Sequence, residues 1–133
     1  MTVFGPHHTP FDRLGREGAL ALAMRFYDHM DAHEPALVAV HRTSEDGTKV
    51  AAVVRERFGA FLVEWLGGPP IYSSVNGHPR LRMRHGHVPV DADLRDAWIR
   101  CMRAALDHPT VDAEARDYLE RRFAEVADFL RNR

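Results

Sequence analysis

An all-α fold is predicted by three features of the chain. Apolar residues recur every three or four positions along four separate stretches, the period of an amphipathic helix. No two segments alternate as paired strands would. Strong stop signals, above all Gly67-Gly68-Pro69-Pro70 and Pro109, separate the stretches.

Taken in order, Ala19, Leu22, Ala23, Phe26, Tyr27 and Met30 form one stripe and predict a helix over 15–30. A short piece is expected near 34–41. Val50 to Val54 is β-branched and suits a strand by itself. The stripe of Val54, Phe58, Phe61, Leu62 and Trp65 continues too long for one, so the segment reads as a helix over 48–66. The Gly-Gly-Pro-Pro run ends it, and Ser73-Ser74 reads as loop. Pro79 suits a first helical position and opens a short helix over 79–86. Val88 precedes Pro89, so 87–90 is extended. Leu94, Trp98, Cys101, Met102 and Ala105 predict a helix over 92–107, with Asp91 as N-cap. Leu119, Phe123, Val126 and Leu130 predict the last, over 112–131, with Asp112 as N-cap.

The 133 residues suit one domain. A net charge of -1 gives no electrostatic case for nucleic acid or an anionic membrane. The longest apolar run, 19–24, is far too short to span a bilayer. The first residues lack the features of a signal peptide, and one cysteine excludes an internal disulfide. The expected location is the cytoplasm.

Nine histidines in so short a chain demand attention. In a helix starting at Pro79, Leu81 and His85 lie one turn apart on one face, with Arg84 adjacent. A histidine over an apolar floor beside an arginine suits an iron ligand whose cofactor carries carboxylates. The alternative is a surface histidine favoured by the dipole at a helix C-terminus, and spacing alone leaves it open. His85-Gly86-His87 is a poor zinc motif, because the two histidines are not a helical turn apart. Trp98 and Tyr27 each sit within an apolar stripe and carry a polar hydrogen that needs a partner when buried. Cys101 reads as a small core residue, and Arg80 and Arg82 as solvent-facing. Helical proteins build cofactor sites between facing helices.

Arg25-Phe26-Tyr27, Trp65-Leu66-Gly67-Gly68-Pro69, Gly77-His78-Pro79-Arg80-Leu81-Arg82-Met83-Arg84-His85 and Asp96-Ala97-Trp98-Ile99-Arg100-Cys101-Met102 together resemble the group II truncated haemoglobins. The resemblance spans nearly everything from Thr9 onward, so 9–133 is expected to be a single truncated globin domain and 1–8 a disordered segment. It implies a two-over-two helical sandwich around haem b (iron protoporphyrin IX). It makes His85 the proximal iron ligand. It places Tyr27, His41 and Trp98 on the distal side as hydrogen-bond donors, and Val54 and Phe58 as apolar distal residues. Arg57 and Arg84 take the propionate positions. Phe61, Leu62, Leu81, Val88 and Met102 are expected against the porphyrin. Two departures bear on local geometry. Leu14-Gly15-Arg16-Glu17-Gly18 lacks the adjacent glycines common in relatives, and the loop after His41 lacks their proline.

The implied function is binding of O2 and other diatomic ligands, NO and CO among them, with distal hydrogen bonds that retain O2. The alternative is a peroxidase-like or NO-detoxifying enzyme acting on peroxide or NO. That reading needs an external electron donor, since no reductase domain is attached. A monomer or homodimer suits either.

Overall fold

The computed structural model describes residues 4, 8–77 and 90–132. Its helices are α1 (Pro10–His33), α2 (Pro35–Val38), α3 (Ala52–Trp65), α4 (Ser73–Asn76), α5 (Ala92–Leu106) and α6 (Ala113–Leu130). The helix expected over 79–86 lies outside the described residues, as do Arg80, Leu81, Arg82, Arg84, His85 and Val88. Of the segment 1–8, Phe4 and His8 are described. Phe4 is buried, with its ring 4.9 Å from that of Tyr118.

Two antiparallel pairs make the sandwich. α1 packs on α3, and α5 on α6, while α1 crosses α5 to join the pairs. The ends of the elements show the antiparallel sense. The Phe11 N–H at the start of α1 donates to the Leu66 carbonyl just past α3, at 2.9 Å. Val90, before α5, exchanges hydrogen bonds with Asn132, after α6, at 2.8 and 2.9 Å. The predicted stripes form the core. Leu22, Phe26, Met30, Leu62, Leu66, Met102, Leu106 and Leu119 are fully buried. Each such side chain contributes roughly 1.5–3 kcal/mol when taken from water.

Local chemistry explains the boundaries. α1 begins five residues earlier than its stripe suggests, because Thr9 and Asp12 form a capping box and Pro10 occupies the first turn. It then kinks at Gly15, whose φ of 71° lies in the left-handed region. α3 begins at Ala52 rather than 48, because Val50 forms an antiparallel bridge with Thr43 and the Ala51 N–H donates to the Arg42 carbonyl at 2.9 Å. The strand character of Val50 is thus realised in one residue pair. Asp91 and Asp112 cap α5 and α6, accepting from the N–H groups of Leu94 at 2.9 Å and Ala115 at 2.8 Å. Ser73-Ser74 is a correction to the loop reading, since it opens α4. The cause is Glu64, whose Oε1 accepts from the Ser73 N–H at 3.0 Å and its hydroxyl at 2.7 Å.

The Gly67-Gly68 pair lets α1 and α3 meet. A Cβ at Gly67 would sit 2.4 Å from the Thr9 Cβ. One at Gly68 would sit 2.7 Å from both the Phe11 ring and the Val63 carbonyl oxygen. That oxygen also accepts from the Gly68 N–H at 2.8 Å, so it has no freedom to retreat. Gly68→Ala is therefore expected to destabilise the fold by about 2 kcal/mol, as overpacked sites do. The measurement is the urea midpoint, and a midpoint within error of the parent would refute the close contact.

Candidate haem pocket

Where the two helix pairs diverge, their inner faces enclose a cavity of about 450 Å³. That falls in the range of small-molecule sites, ~300–1,000 Å³. Its walls are largely apolar: Val54, Phe58 and Phe61 from α3, Leu94 and Trp98 from α5, and Phe123, Val126 and Leu130 from α6. Tyr27 from α1, and Leu37, Val40 and His41 from α2 and the residues after it, complete the lining.

The aromatic rings touch one another in a run from Trp65 to Phe58 that starts and ends on α3, whose own backbone completes the circuit. Phe26 meets Trp98 edge-on at 5.2 Å and Phe58 at 5.2 Å. Trp98 lies 5.8 Å from Phe123, which stacks on Trp65 of α3 at 4.7 Å. Phe58 stacks near Phe61 at 6.1 Å, and Phe61 meets Tyr72 edge-on at 5.8 Å. Each pair contributes roughly 0.5–1.5 kcal/mol beyond its buried area. Together the pairs hold the walls apart at fixed geometry.

Polar groups enter these walls at few points. Tyr27 is 4% exposed, and among the described residues its hydroxyl has no hydrogen-bond partner. Burial pushes its phenol above the ordinary tyrosine value, and the positive charge of Arg55 offsets part of that rise. It stays protonated at physiological pH and so remains a donor. The Trp98 indole N–H likewise has no partner among the described residues. His41 behaves differently. Its Nδ1 lies 2.7 Å from the Leu37 carbonyl, so Nδ1 carries the hydrogen and donates. The donor role that the resemblance gives His41 therefore rests on Nε2, the other ring nitrogen.

Arg42, Arg57 and Arg95 are the cations of the lining. Arg95 is engaged by Asp96 and Asp128, each at 3.0 Å. Arg42 and Arg57 are exposed and form no ion pair among the described residues. An apolar slot bordered by free guanidiniums suits a flat macrocycle that carries carboxylates.

Of the residues anticipated from sequence, Tyr27, His41, Val54, Arg57, Phe58, Phe61 and Trp98 all reach this cavity. Leu62 and Met102 do not line it. Both are almost completely buried, and their side chains belong to the core behind the wall. Arg84, His85, Leu81 and Val88 lie outside the described residues. Sequence reasoning missed Arg42, Tyr72 and the α6 lining. Arg42 was signalled only by following His41 directly. Phe123, Val126 and Leu130 were visible as a stripe, but a stripe does not say whether it faces core or cavity.

The family model described as bacterial-like globin matches residues 9–132, nearly the whole chain. The chain belongs to the group II truncated haemoglobins. It is 34% identical over 125 residues to the group 2 truncated hemoglobin YjbI of Bacillus subtilis, covering 94% of this chain and 89% of that one. Its fold matches the cold-adapted truncated hemoglobin of the Antarctic marine bacterium Pseudoalteromonas haloplanktis with a TM-score of 0.84 at 39% identity, covering 94% and 98% of the two chains. The group II 2-on-2 hemoglobin of Agrobacterium tumefaciens matches with a TM-score of 0.82 at 31% identity, covering 93% and 94%.

As a truncated haemoglobin, the chain takes haem as its cofactor and binds diatomic ligands there. The cavity satisfies that requirement in size, in its apolar walls and in Arg42 and Arg57, which form no ion pair among the described residues. No helix of the described residues is long and apolar enough to cross a membrane.

Cys101 stands on the helix that carries Trp98, yet it is completely buried in the core. Burial pushes its thiol up to about 12. A thiol-specific disulfide reagent is expected to leave Cys101 untouched in the native protein and to react only after denaturant is added. Rapid labelling of the native protein would contradict that burial.

Proposed function

We propose that this truncated haemoglobin retains O2 through hydrogen bonds from Tyr27 and Trp98. One observation carries the reading: the buried Tyr27 and the half-buried Trp98 both line a single apolar cavity, and neither polar hydrogen has a protein partner among the described residues. Both hydrogens are therefore at the disposal of a bound acceptor, which gains more from them in an apolar space than in water. Haem b supplies an iron that takes a diatomic ligand.

The chain's own residues divide the remaining tasks. Tyr27 and Trp98 donate to a ligand that bears partial negative charge. The apolar walls offer water few partners, and water would compete for those donors. Val54 and Phe58 leave no titratable group on the α3 side of the distal space. Arg57, with Arg84, is assigned to the propionates, and the unpaired Arg42 joins them. His85 is assigned as the proximal ligand, with Leu81 as its floor and Val88 beyond. That assignment rests on the sequence motif that contains it. The solved structure of the Bacillus subtilis relative, which this fold matches with a TM-score of 0.82, is described as that of an oxygen-avid haemoglobin. Avid binding is what two donors in a dry pocket would produce. Nothing in the pocket favours turnover of peroxide or NO over ligand retention.

Each hydrogen bond contributes about 1 kcal/mol, and about 1.4 kcal/mol corresponds to a tenfold change in rate. Tyr27→Phe and Trp98→Phe are each expected to speed O2 release roughly fivefold, and the double variant tenfold to a hundredfold. Stopped-flow dissociation of the ferrous protein measures this. CO, a weaker acceptor, should respond much less. Release unchanged in both single variants would sink the proposal.

His85→Gly is expected to weaken haem retention and to change the ferrous absorption spectrum, with free imidazole restoring it. Full retention with an unchanged spectrum would show that another residue holds the iron.

A further inference from the structure

Among the described residues the Tyr27 phenol has no hydrogen bond to fix its direction, so what aims it there acts through the ring. Four side chains flank that ring. Phe26 lies tilted against it at 4.9 Å, Phe58 meets it edge-on at 5.6 Å, and His41 meets it nearly perpendicular at 5.9 Å. The fourth is a cation, with the Arg55 guanidinium carbon 5.5 Å from the ring centroid.

Arg55 is held from several sides. Its side chain is only 10% exposed. Its Nε donates to the Val50 carbonyl at 3.1 Å, and its Nη1 to Asp28 Oδ1 at 3.0 Å. Its Nη2 pairs with Asp31 Oδ2, and the other oxygen of Asp31 accepts from the Val50 N–H at 3.0 Å. Asp28 and Asp31 share α1 with Tyr27, whereas Arg55 belongs to α3. The network closes because α1 and α3 run antiparallel. Asp31 is 11% exposed and Asp28 67%, so Asp31 is the inner anchor and Asp28 an outer one.

A buried ion pair of this kind is weak evidence for stability, because desolvation offsets most of its attraction. Its planar guanidinium suits another purpose. Arginine stacks on aromatic faces, and a cation there is attracted by the electron-rich ring. The charge also draws electron density from the phenol, which makes its O–H a better donor.

We propose that Arg55, oriented by Asp31, is a positioning residue that aims the Tyr27 ring and strengthens its hydroxyl as a donor to the ligand. This deepens the reading of Tyr27 as a ligand donor and rests on it. Arg55 touches neither cofactor nor ligand in this role. Its influence passes through the ring and through the loop carrying His41, which Val50 ties to the same network.

The test compares the haem-loaded parent with Arg55→Met, Arg55→Lys and Asp31→Asn, each in the Tyr27 and the Tyr27→Phe background. In the Tyr27 background, Arg55→Met is expected to speed O2 release about threefold to tenfold, which corresponds to a loss of about 0.7–1.4 kcal/mol of donor stabilisation. CO release should change less than about twofold, because CO draws little on the donor. Arg55→Lys, which keeps the charge, should fall between parent and Arg55→Met. Asp31→Asn should shift release in the same direction as Arg55→Met. In the Tyr27→Phe background the effect should vanish.

A second readout does not depend on ligand release. In the ferrous CO form labelled with ring-¹³C tyrosine, Arg55→Met should move the Tyr27 signal and leave those of Tyr72 and Tyr118 in place. Thermal unfolding separates a folding defect from these effects, and Arg55→Lys keeps the test alive if Arg55→Met fails to fold. Equal acceleration of O2 and CO release, or an unmoved Tyr27 signal, overturns the positioning role in favour of a purely structural tie. If Tyr27→Phe speeds release and Arg55→Met does not, only the positioning role fails. If Tyr27→Phe changes nothing, the donor reading of Tyr27 fails and takes the positioning role with it.

Discussion

The run of aromatic contacts from α3 through α6, α5 and α1 back to α3 is the constraint on which the rest of the structure depends. A chain of 133 residues has little apolar surface to spare, yet this one keeps a cavity of about 450 Å³ between its helix pairs. Protein interiors normally pack to crystal-like density. A space that takes a flat macrocycle needs walls braced by one another. The circuit supplies that brace, running from Trp65 through Phe123, Trp98 and Phe26 to Phe58. Rings suit the task because they are rigid and large, and because their edge-on contacts have a preferred geometry.

The circuit works only if the helices enter at the right depth, and two seams set that depth. One is steric. At Gly67-Gly68 the end of α3 approaches the start of α1 closely enough that no Cβ fits. The other is polar, and lies at the opposite end of the same pair. There Arg55 joins Asp31, Asp28 and Val50. Between them, the seams fix the register of α1 against α3, and with it the placement of Tyr27 beside Phe58. Smaller ties do the same for the second pair. Arg95 reaches Asp128 across α5 and α6, and Arg100 binds Glu34, linking α5 to the end of α1.

The helices were legible in the sequence because periodicity is local. The stripes through Tyr27, Phe61, Trp98 and Phe123 needed only the neighbouring turns to be read. The caps at Asp91 and Asp112 were legible for the same reason. What stayed hidden depended on long-range register. Ser73 begins a helix because Glu64, nine residues earlier, folds back to bind it. Nothing in the sequence sets Arg55 apart, and only the antiparallel meeting of α1 and α3 turns it onto the Tyr27 ring. Leu62 and Met102 share stripes with cavity residues, yet they face the core, because a stripe about a hundred degrees wide meets two different neighbours. The family motif allowed the distal residues to be named, but it carried no information on the tautomer of His41, which depends on the Leu37 carbonyl one turn back.

That tautomer separates the distal polar groups into two kinds. Trp98 can only donate, and Tyr27 is kept protonated by burial, so neither changes its role across the physiological pH range. His41 has one nitrogen committed to the backbone, so its action toward the pocket goes through Nε2, which donates only when it carries a hydrogen. In the proposed reading, retention of O2 rests on the two groups whose donor role is constant. The cation behind one of them, Arg55, offers a means of adjusting donor strength without placing a charge in the pocket itself. A charge in the pocket would have to lose its water to an apolar cavity at a cost of several kcal/mol. Behind the ring, the same charge keeps its carboxylate partners and acts through the π system.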